Sequence, residues 1–291
     1  MTFVMAVSVS RSMCRTGRAP TLTGMRSAAK ILTRPVWATL ITIVIMFTAV
    51  FGGSLPFISL VNREVPLTRL LPALGIAVLA LTLVYLYRRF VTGEPWSGVG
   101  LTLRWSAVGE ALLGVAAGMA AILVTSLVSV ALGVAQWRGF DEASLAYLPL
   151  SLLIATLNQA FPEEMLFRGH LWHTLSASLS PRTVMIATSL AFGALHIISS
   201  SPATGIGERL LYVVSAVALG FACGAARART GAVWAAAGVH AGLHYGFRIF
   251  PLQEIHYDVQ LLVQTVSLTL AGLAFLLIRA PRSRPAPVKA G

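Results

Sequence analysis

Apolar runs of membrane-spanning length recur along almost the whole chain, and they limit what it can fold into. They fall at about residues 36–60, 69–87, 107–134, 146–166, 183–198, 209–226, 231–250 and 259–279. At 1.5 Å of rise per residue, a helical run of about twenty residues crosses the roughly 30 Å of hydrocarbon in a bilayer. The 183–198 run is short and needs shielding by its neighbours. In hydrocarbon every backbone N–H and C=O must find an internal partner, so a span is a helix or a strand of a closed barrel. These runs are too long and too unalternating for barrel strands. The sequence predicts an all-α, polytopic membrane helical bundle of about eight transmembrane helices. Composition agrees: only 11% of residues are charged, against about 25% in soluble domains.

The net charge of +12 raises the question of nucleic acid. The basic residues flank apolar runs and form no basic face, so they read as topology signals, with membrane lipids as partners and no nucleic acid. If the N-terminus is cytoplasmic, the inside segments hold 17 of the 22 Lys and Arg residues and the outside segments hold 5 (Arg63, Arg69, Arg138, Arg209 and Arg248). That asymmetry predicts both termini on the cytoplasmic side. Residues 1–35 read as a basic tail, 36–279 as the bundle, and 280–291 as a disordered Pro/Arg-rich tail. Residues 88–106 read as a polar connection and 169–182 as a short amphipathic piece at the cytoplasmic interface. Cys14 and Cys223 stand far apart and imply no disulfide framework. Arginine outnumbers lysine 20 to 2, the balance of a GC-rich genome, and a bacterial cytoplasmic membrane is the expected location.

Against this background the run Phe161-Pro162-Glu163-Glu164-Met165-Leu166-Phe167-Arg168 is anomalous. A charge at the centre of a span costs about 2.5–3.5 kcal/mol on translocon scales, so such groups face a protein interior and find partners. Pro162 fixes φ and lacks a donor, and so opens or kinks a helical turn. In a continuing helix Glu164 and Arg168 are four apart and can pair. Glu163 is rotated about 100° away and left for chemistry. Three histidines follow in later runs. His196 stands one turn after Phe192. His240 and His244, four apart, share a face of the 231–250 helix, a spacing that suits metal chelation or two donors at an oxyanion. Gly238, Gly242 and Gly246 also recur every four residues, a small-residue face for close helix approach. His170, His173 and His256 fall outside this grouping, and Glu110 opens the third span near interface water.

The ordered set Glu163-Glu164 to Arg168, Phe192 to His196, and His240 to His244, with Trp234 shortly after Gly231, resembles the CPBP family of intramembrane proteases. That family includes type II CAAX prenyl proteases and bacteriocin-processing or immunity (Abi) proteins. The resemblance covers about residues 145–250. At position 244 the prenyl-protease branch usually carries Asn, which bears on the subfamily. The resemblance implies peptide-bond hydrolysis by an activated water in a cavity open to the cytoplasm. Glu163 would be the general base, His196 would help hold the water, and His240 and His244 would bind the oxyanion. Arg168 would orient Glu164. It also leaves open a zinc ion held by Glu163, His196, His240 and His244. The implied substrate is a membrane-associated or lipidated peptide. Two other classes compete. A proton-coupled transporter would use the same residue types, but the chain shows no inverted repeat or paired broken helices. A non-catalytic scaffold or self-immunity protein would keep the motif as a polar core.

Overall fold

The computed structural model describes residues 33–62 and 64–277. The predicted disordered C-terminal tail lies outside the described residues, as does the basic N-terminal tail up to residue 32. Eight helices make up the described part: α1 Pro35–Leu60, α2 Pro66–Thr92, α3 Trp105–Ala131, α4 Glu142–Ser176, α5 Pro181–Leu195, α6 Ile206–Thr230, α7 Val233–Ile249 and α8 Tyr257–Leu277. All but α5 and α7 are long and apolar enough to cross a membrane. The 15-residue α5 and the 17-residue α7 run between the same two faces as their longer neighbours. A two-stranded ribbon, β1 (Gln136–Trp137) with β2 (Leu252–Gln253), is the only strand pairing among the described residues.

The connections sort onto two faces. On one, β1 pairs with β2, His256 N–H donates to the Val134 carbonyl, and Arg69 at the start of α2 donates to Tyr147 near the start of α4. On the other, the 93–104 connection meets the end of α4 and the α6–α7 turn. Thr174 donates to Glu94, Val233 N–H donates to the Gly100 carbonyl, and the Trp234 indole donates to the Thr102 carbonyl. Gly231 makes that turn at φ 73°, a left-handed conformation that glycine adopts without strain. This up-and-down order follows from helices that each bury their own backbone bonds and are joined by short links.

Capping fixes where two helices begin. Asp141 accepts from Ser144 N–H at the start of α4, and Ser180 accepts from Thr183 N–H before Pro181 at the start of α5. Both are side-chain caps on otherwise orphaned donors. Thr42 and Thr125, inside the spans, donate one turn back to the Ala38 and Ala121 carbonyls, so these two hydroxyls bring no unpaired donor into the apolar interior.

Two features position the site. The first is the seam between α3 and α7, where the glycines face each other. A Cβ on Gly114 would strike the Ala235 carbonyl, and one on Gly118 the Val239 carbonyl. In the reverse direction, Gly238 meets the Ala111 carbonyl and Gly242 the Val115 carbonyl. The expected small-residue face on 238, 242 and 246 is therefore a close contact, with its counterpart on α3. The second is α4, which runs unbroken for 35 residues. It widens into π-helical turns at Thr156–Ala160 and Met165–Leu171, on either side of Pro162. Proline removes one helical donor, and a wider turn lets the helix continue past it. The expected interfacial piece at 169–182 is corrected accordingly. Residues 165–171 are all buried, because Arg168 and His170 find partners inside the bundle. Arg88, expected in a polar connection, is instead part of α2 and buried.

Candidate active site

Glu164 and Arg168 are both fully buried, with Arg168 Nη1 donating to Glu164 Oε1 at 3.0 Å. The second Arg168 nitrogen, Nη2, donates to the Gly220 carbonyl of α6 at 2.6 Å. A Cβ at Gly220 would sit 2.9 Å from that nitrogen, so the glycine makes room for the guanidinium. Phe192 of α5 lies under it, with the guanidinium carbon 4.8 Å from the ring centre, a cation–π arrangement. The i, i+4 pair is thus clamped by two further helices.

Glu164 has a second partner that spacing alone does not show. His240 Nδ1 lies 3.0 Å from the same Oε1. A carboxylate accepts there, so Nδ1 carries the proton and Nε2 is left facing Glu163, whose Oε2 is 4.0 Å away. A carboxylate fixing one ring nitrogen sets the function of the other. His196, immediately after the last turn of α5, is oriented the same way. Its Nδ1 donates to the Phe192 carbonyl at 3.0 Å, freeing Nε2. His244 stacks on His240 with ring centres 5.1 Å apart, and its Nε2 is buried without a hydrogen-bond partner among the described residues.

The two adjacent glutamates differ sharply in surroundings. Glu164 is sealed, while the Glu163 side chain keeps 19% of its exposure and lines a cavity of about 380 Å³. His196, His240 and His244 line the same cavity. Among the described residues, no three or more His, Cys, Asp or Glu side chains converge on a point that could hold a metal ion. The four candidate zinc ligands therefore share a cavity without forming a ligand cage as placed.

The opposite wall comes from residues that the motif reading leaves out: Tyr212 and Ser215 of α6, and Gln260 and Gln264 of α8. Gln264 Nε2 donates to Ser215 Oγ at 2.9 Å. The available signal was the pair of amides, four apart, in an otherwise apolar run. The remaining polar candidates lie elsewhere. His170 and His173 contact Arg88, His256 is in the exposed α7–α8 loop, and Glu110 pairs with Arg104 at 2.6 Å.

The rim of the cavity lies away from the 93–104 connection. Gln159, Pro202, Phe247 and Ile255 line it and are exposed. Pro202, Phe247 and Ile255 lie at or near the β1–β2 face, and Gln159 stands one turn toward it from Glu163, midway along α4.

No curated protein matches the chain. Residues 144–246 match the family described as type II CAAX prenyl endopeptidase Rce1-like, a stretch holding Glu163, Glu164, Arg168, His196, His240 and His244 and leaving α1–α3 and α8 outside. That match agrees with the resemblance to the CPBP/CAAX family of intramembrane proteases carried by the motif residues.

Proposed function

We propose that the chain is an intramembrane endopeptidase that cleaves a membrane-associated or lipidated peptide with a water activated by Glu163. The observation that carries this reading is the division between the glutamates: Glu163 faces the cavity while Glu164 is held by Arg168 and His240. Glu163 takes a proton from water as the oxygen attacks the peptide carbonyl carbon. Nε2 of His196, free of other partners, orients that water. The tetrahedral oxyanion forms beside His240 and His244, where imidazole N–H groups in a dry site stabilise developing charge. The positive charge that His240 carries on donating from both nitrogens is balanced by Glu164. Glu163 then gives its proton to the departing nitrogen, the C–N bond breaks, and a carboxylate and an amine leave. No step in this scheme passes through a metal.

A peptide entering an apolar cavity brings backbone N–H and C=O groups that need partners. Gln260 and Gln264 can supply both donor and acceptor. Four residues of helix rise about 6 Å, close to the roughly 6.6 Å of two residues in an extended strand. We assign these glutamines to the substrate main chain. The decisive experiment is cleavage of a peptide library in detergent, with products read by mass spectrometry, comparing the wild type with Glu163→Gln. Turnover retained by Glu163→Gln would remove the glutamate from the mechanism.

A further inference from the structure

We infer that a pocket between the start of α4 and the end of α7 binds an anionic phospholipid, with Arg138 and Arg248 on its phosphate and an acyl chain along α4. The site is separate from the proposed peptidase chemistry. It fits either leaflet, since both present phosphate.

Arg69, Arg138 and Arg248 are scattered along the sequence, and the fold gathers them at one end of the bundle. A cavity of about 310 Å³ lies there, with Arg138 from the end of the ribbon and Arg248 from the last turn of α7 in its wall. Arg138 is fixed by its backbone N–H, which donates to the Pro251 carbonyl at 3.0 Å. Arg248 is partly buried, and its Nη1 donates to the His244 carbonyl at 2.9 Å. Ser144 and Tyr147 complete the polar end. The Tyr147 oxygen accepts from Arg69 Nη1 at 3.2 Å, so its own O–H remains available as a donor.

This pocket holds cations without a counter-charge. Arg88, Arg104 and Arg168 each pair with a glutamate. A cavity at the opposite end of the bundle also holds two arginines, Arg88 and Arg89, but Glu94 lines the wall with them. Among the described residues, no Asp or Glu lines the pocket of Arg138 and Arg248. Asp141 interacts with Arg138 from outside it, fully exposed, and its carboxylate caps α4 through Ser144 N–H. Two guanidiniums sharing a cavity repel each other. A phosphate between them reverses that, through short charge-assisted hydrogen bonds.

What lies below the arginines selects the ligand. Leu148, Ile154 and Phe247 form the rest of the wall, and the Ser151 hydroxyl is spent on the Leu148 carbonyl at 2.8 Å. A peptide laid there would bring N–H and C=O groups that find no partners, unlike in the catalytic cavity with its two glutamines. An acyl chain brings no such groups. Leu145 and Leu153 extend the apolar flank and are exposed, and α4 buries the smallest share of its apolar stretch among the six long spans. A cationic mouth at the level of the helix ends, above an apolar flank open to the bilayer, is complementary to a headgroup phosphate above its chain.

Native mass spectrometry on the full chain, delipidated in detergent, tests this with three probes: palmitoyl-oleoyl phosphatidylglycerol, the diacylglycerol with the same chains, and inorganic phosphate. Phosphatidylglycerol should form a tight adduct and raise the melting temperature, and neither other probe should compete with it. Arg138→Gln should weaken the adduct by about tenfold, the worth of one charged hydrogen bond, and Arg138→Glu by more. Arg138 is exposed, so both variants should fold as the wild type does. Arg248→Gln checks the second position, with a melting curve to detect misfolding. Equal lipid binding by the wild type and both Arg138 variants overturns the inference. So does inorganic phosphate binding as tightly as the lipid, which makes this a small-anion site, or diacylglycerol doing so, which makes it an apolar groove. A KM raised in Arg138→Gln only for peptides carrying a C-terminal or side-chain carboxylate, with lipid binding unchanged, assigns the pocket to the substrate and also overturns it. The lipid measurements involve no cleavage, so failure of the peptidase reading leaves them interpretable.

Discussion

Helix α4 carries two buried clusters of similar composition, and the contrast between them separates a site from a scaffold. Around Glu163 and Glu164, three histidines line a cavity and one arginine is buried behind them. Some two turns later, Arg88, Glu94, His170 and His173 come together at the face of the 93–104 connection. In that second cluster the arginine is at the centre. It donates to Glu94 at 3.0 Å and to the Pro95 carbonyl at 2.6 Å, and its two terminal nitrogens lie 3.2 and 3.3 Å from Nδ1 of His170 and His173. A guanidinium only donates, so both imidazoles present lone pairs to it and are held neutral. In the first cluster a carboxylate meets the imidazole, Nδ1 keeps its proton, and Nε2 turns to open space. Polar burial is common to both. What differs is which partner holds each histidine and whether a substrate can reach the remaining nitrogen.

Substitutions at the two clusters should therefore fail differently. The largest effect is expected at Glu163→Gln. Turnover should fall by about 10²–10⁴-fold, the range for losing a general base, with no change in melting temperature in detergent. An unchanged rate in the library assay would erase the distinction between the glutamates. Glu164→Ala leaves Arg168 buried without its carboxylate and His240 without its acceptor. It should cost about 3–5 kcal/mol of stability, typical of a broken buried pair, and should lower turnover as well. Thermal unfolding at wild-type temperature would count against the clamp. Arg88→Ala is the matched test on the other cluster. It should destabilise by a similar or smaller amount, because Glu94 is partly exposed, while turnover per folded molecule stays within about twofold of wild type. A selective loss of turnover would make the second cluster part of the chemistry.

Smaller effects are expected away from both clusters. Gly238→Ala sets a methyl against the α3 backbone and should cost about 1–3 kcal/mol, as overpacking does. Gln264→Leu removes one hydrogen-bonding amide, worth about 1 kcal/mol. It should raise KM by about fivefold with kcat held, and a fall in kcat alone would move Gln264 from substrate binding to chemistry.

Long apolar runs made the eight helices readable, and seven of them begin and end within about five residues of expectation. The eighth, α4, was cut short because Arg168, His170 and His173 look interfacial when read along the chain. The burial of Arg168 and His170, and the partial burial of His173, depend on Arg88, Glu94 and Gly220, which lie some fifty to eighty residues away and leave no local trace. The site was legible by the same logic in reverse. Spacing puts Glu164 with Arg168 and His240 with His244, but a period of 3.6 residues says nothing about contacts between helices. The hydrogen bond from His240 to Glu164 was therefore out of reach, as was the α3 half of the glycine seam. Gln260 and Gln264 stand out in the sequence as amides in an apolar run, yet only packing shows that they complete the cavity.

The glycine seam between α3 and α7 has a further consequence for how the protein meets its lipid. An interface of long side chains can slide by exchanging rotamers. An interface of backbone on backbone has none to exchange, so α3 and α7 must tilt or shift as one body. Bilayers differ in thickness, and helices adapt to the mismatch by tilting. On this seam that adaptation moves His240 and His244 together with α3. It leaves the spacing across the cavity to be adjusted by α8, which brings the two glutamines. Thicker or thinner lipid should then change how readily a peptide is held long before it changes how fast the bond is broken.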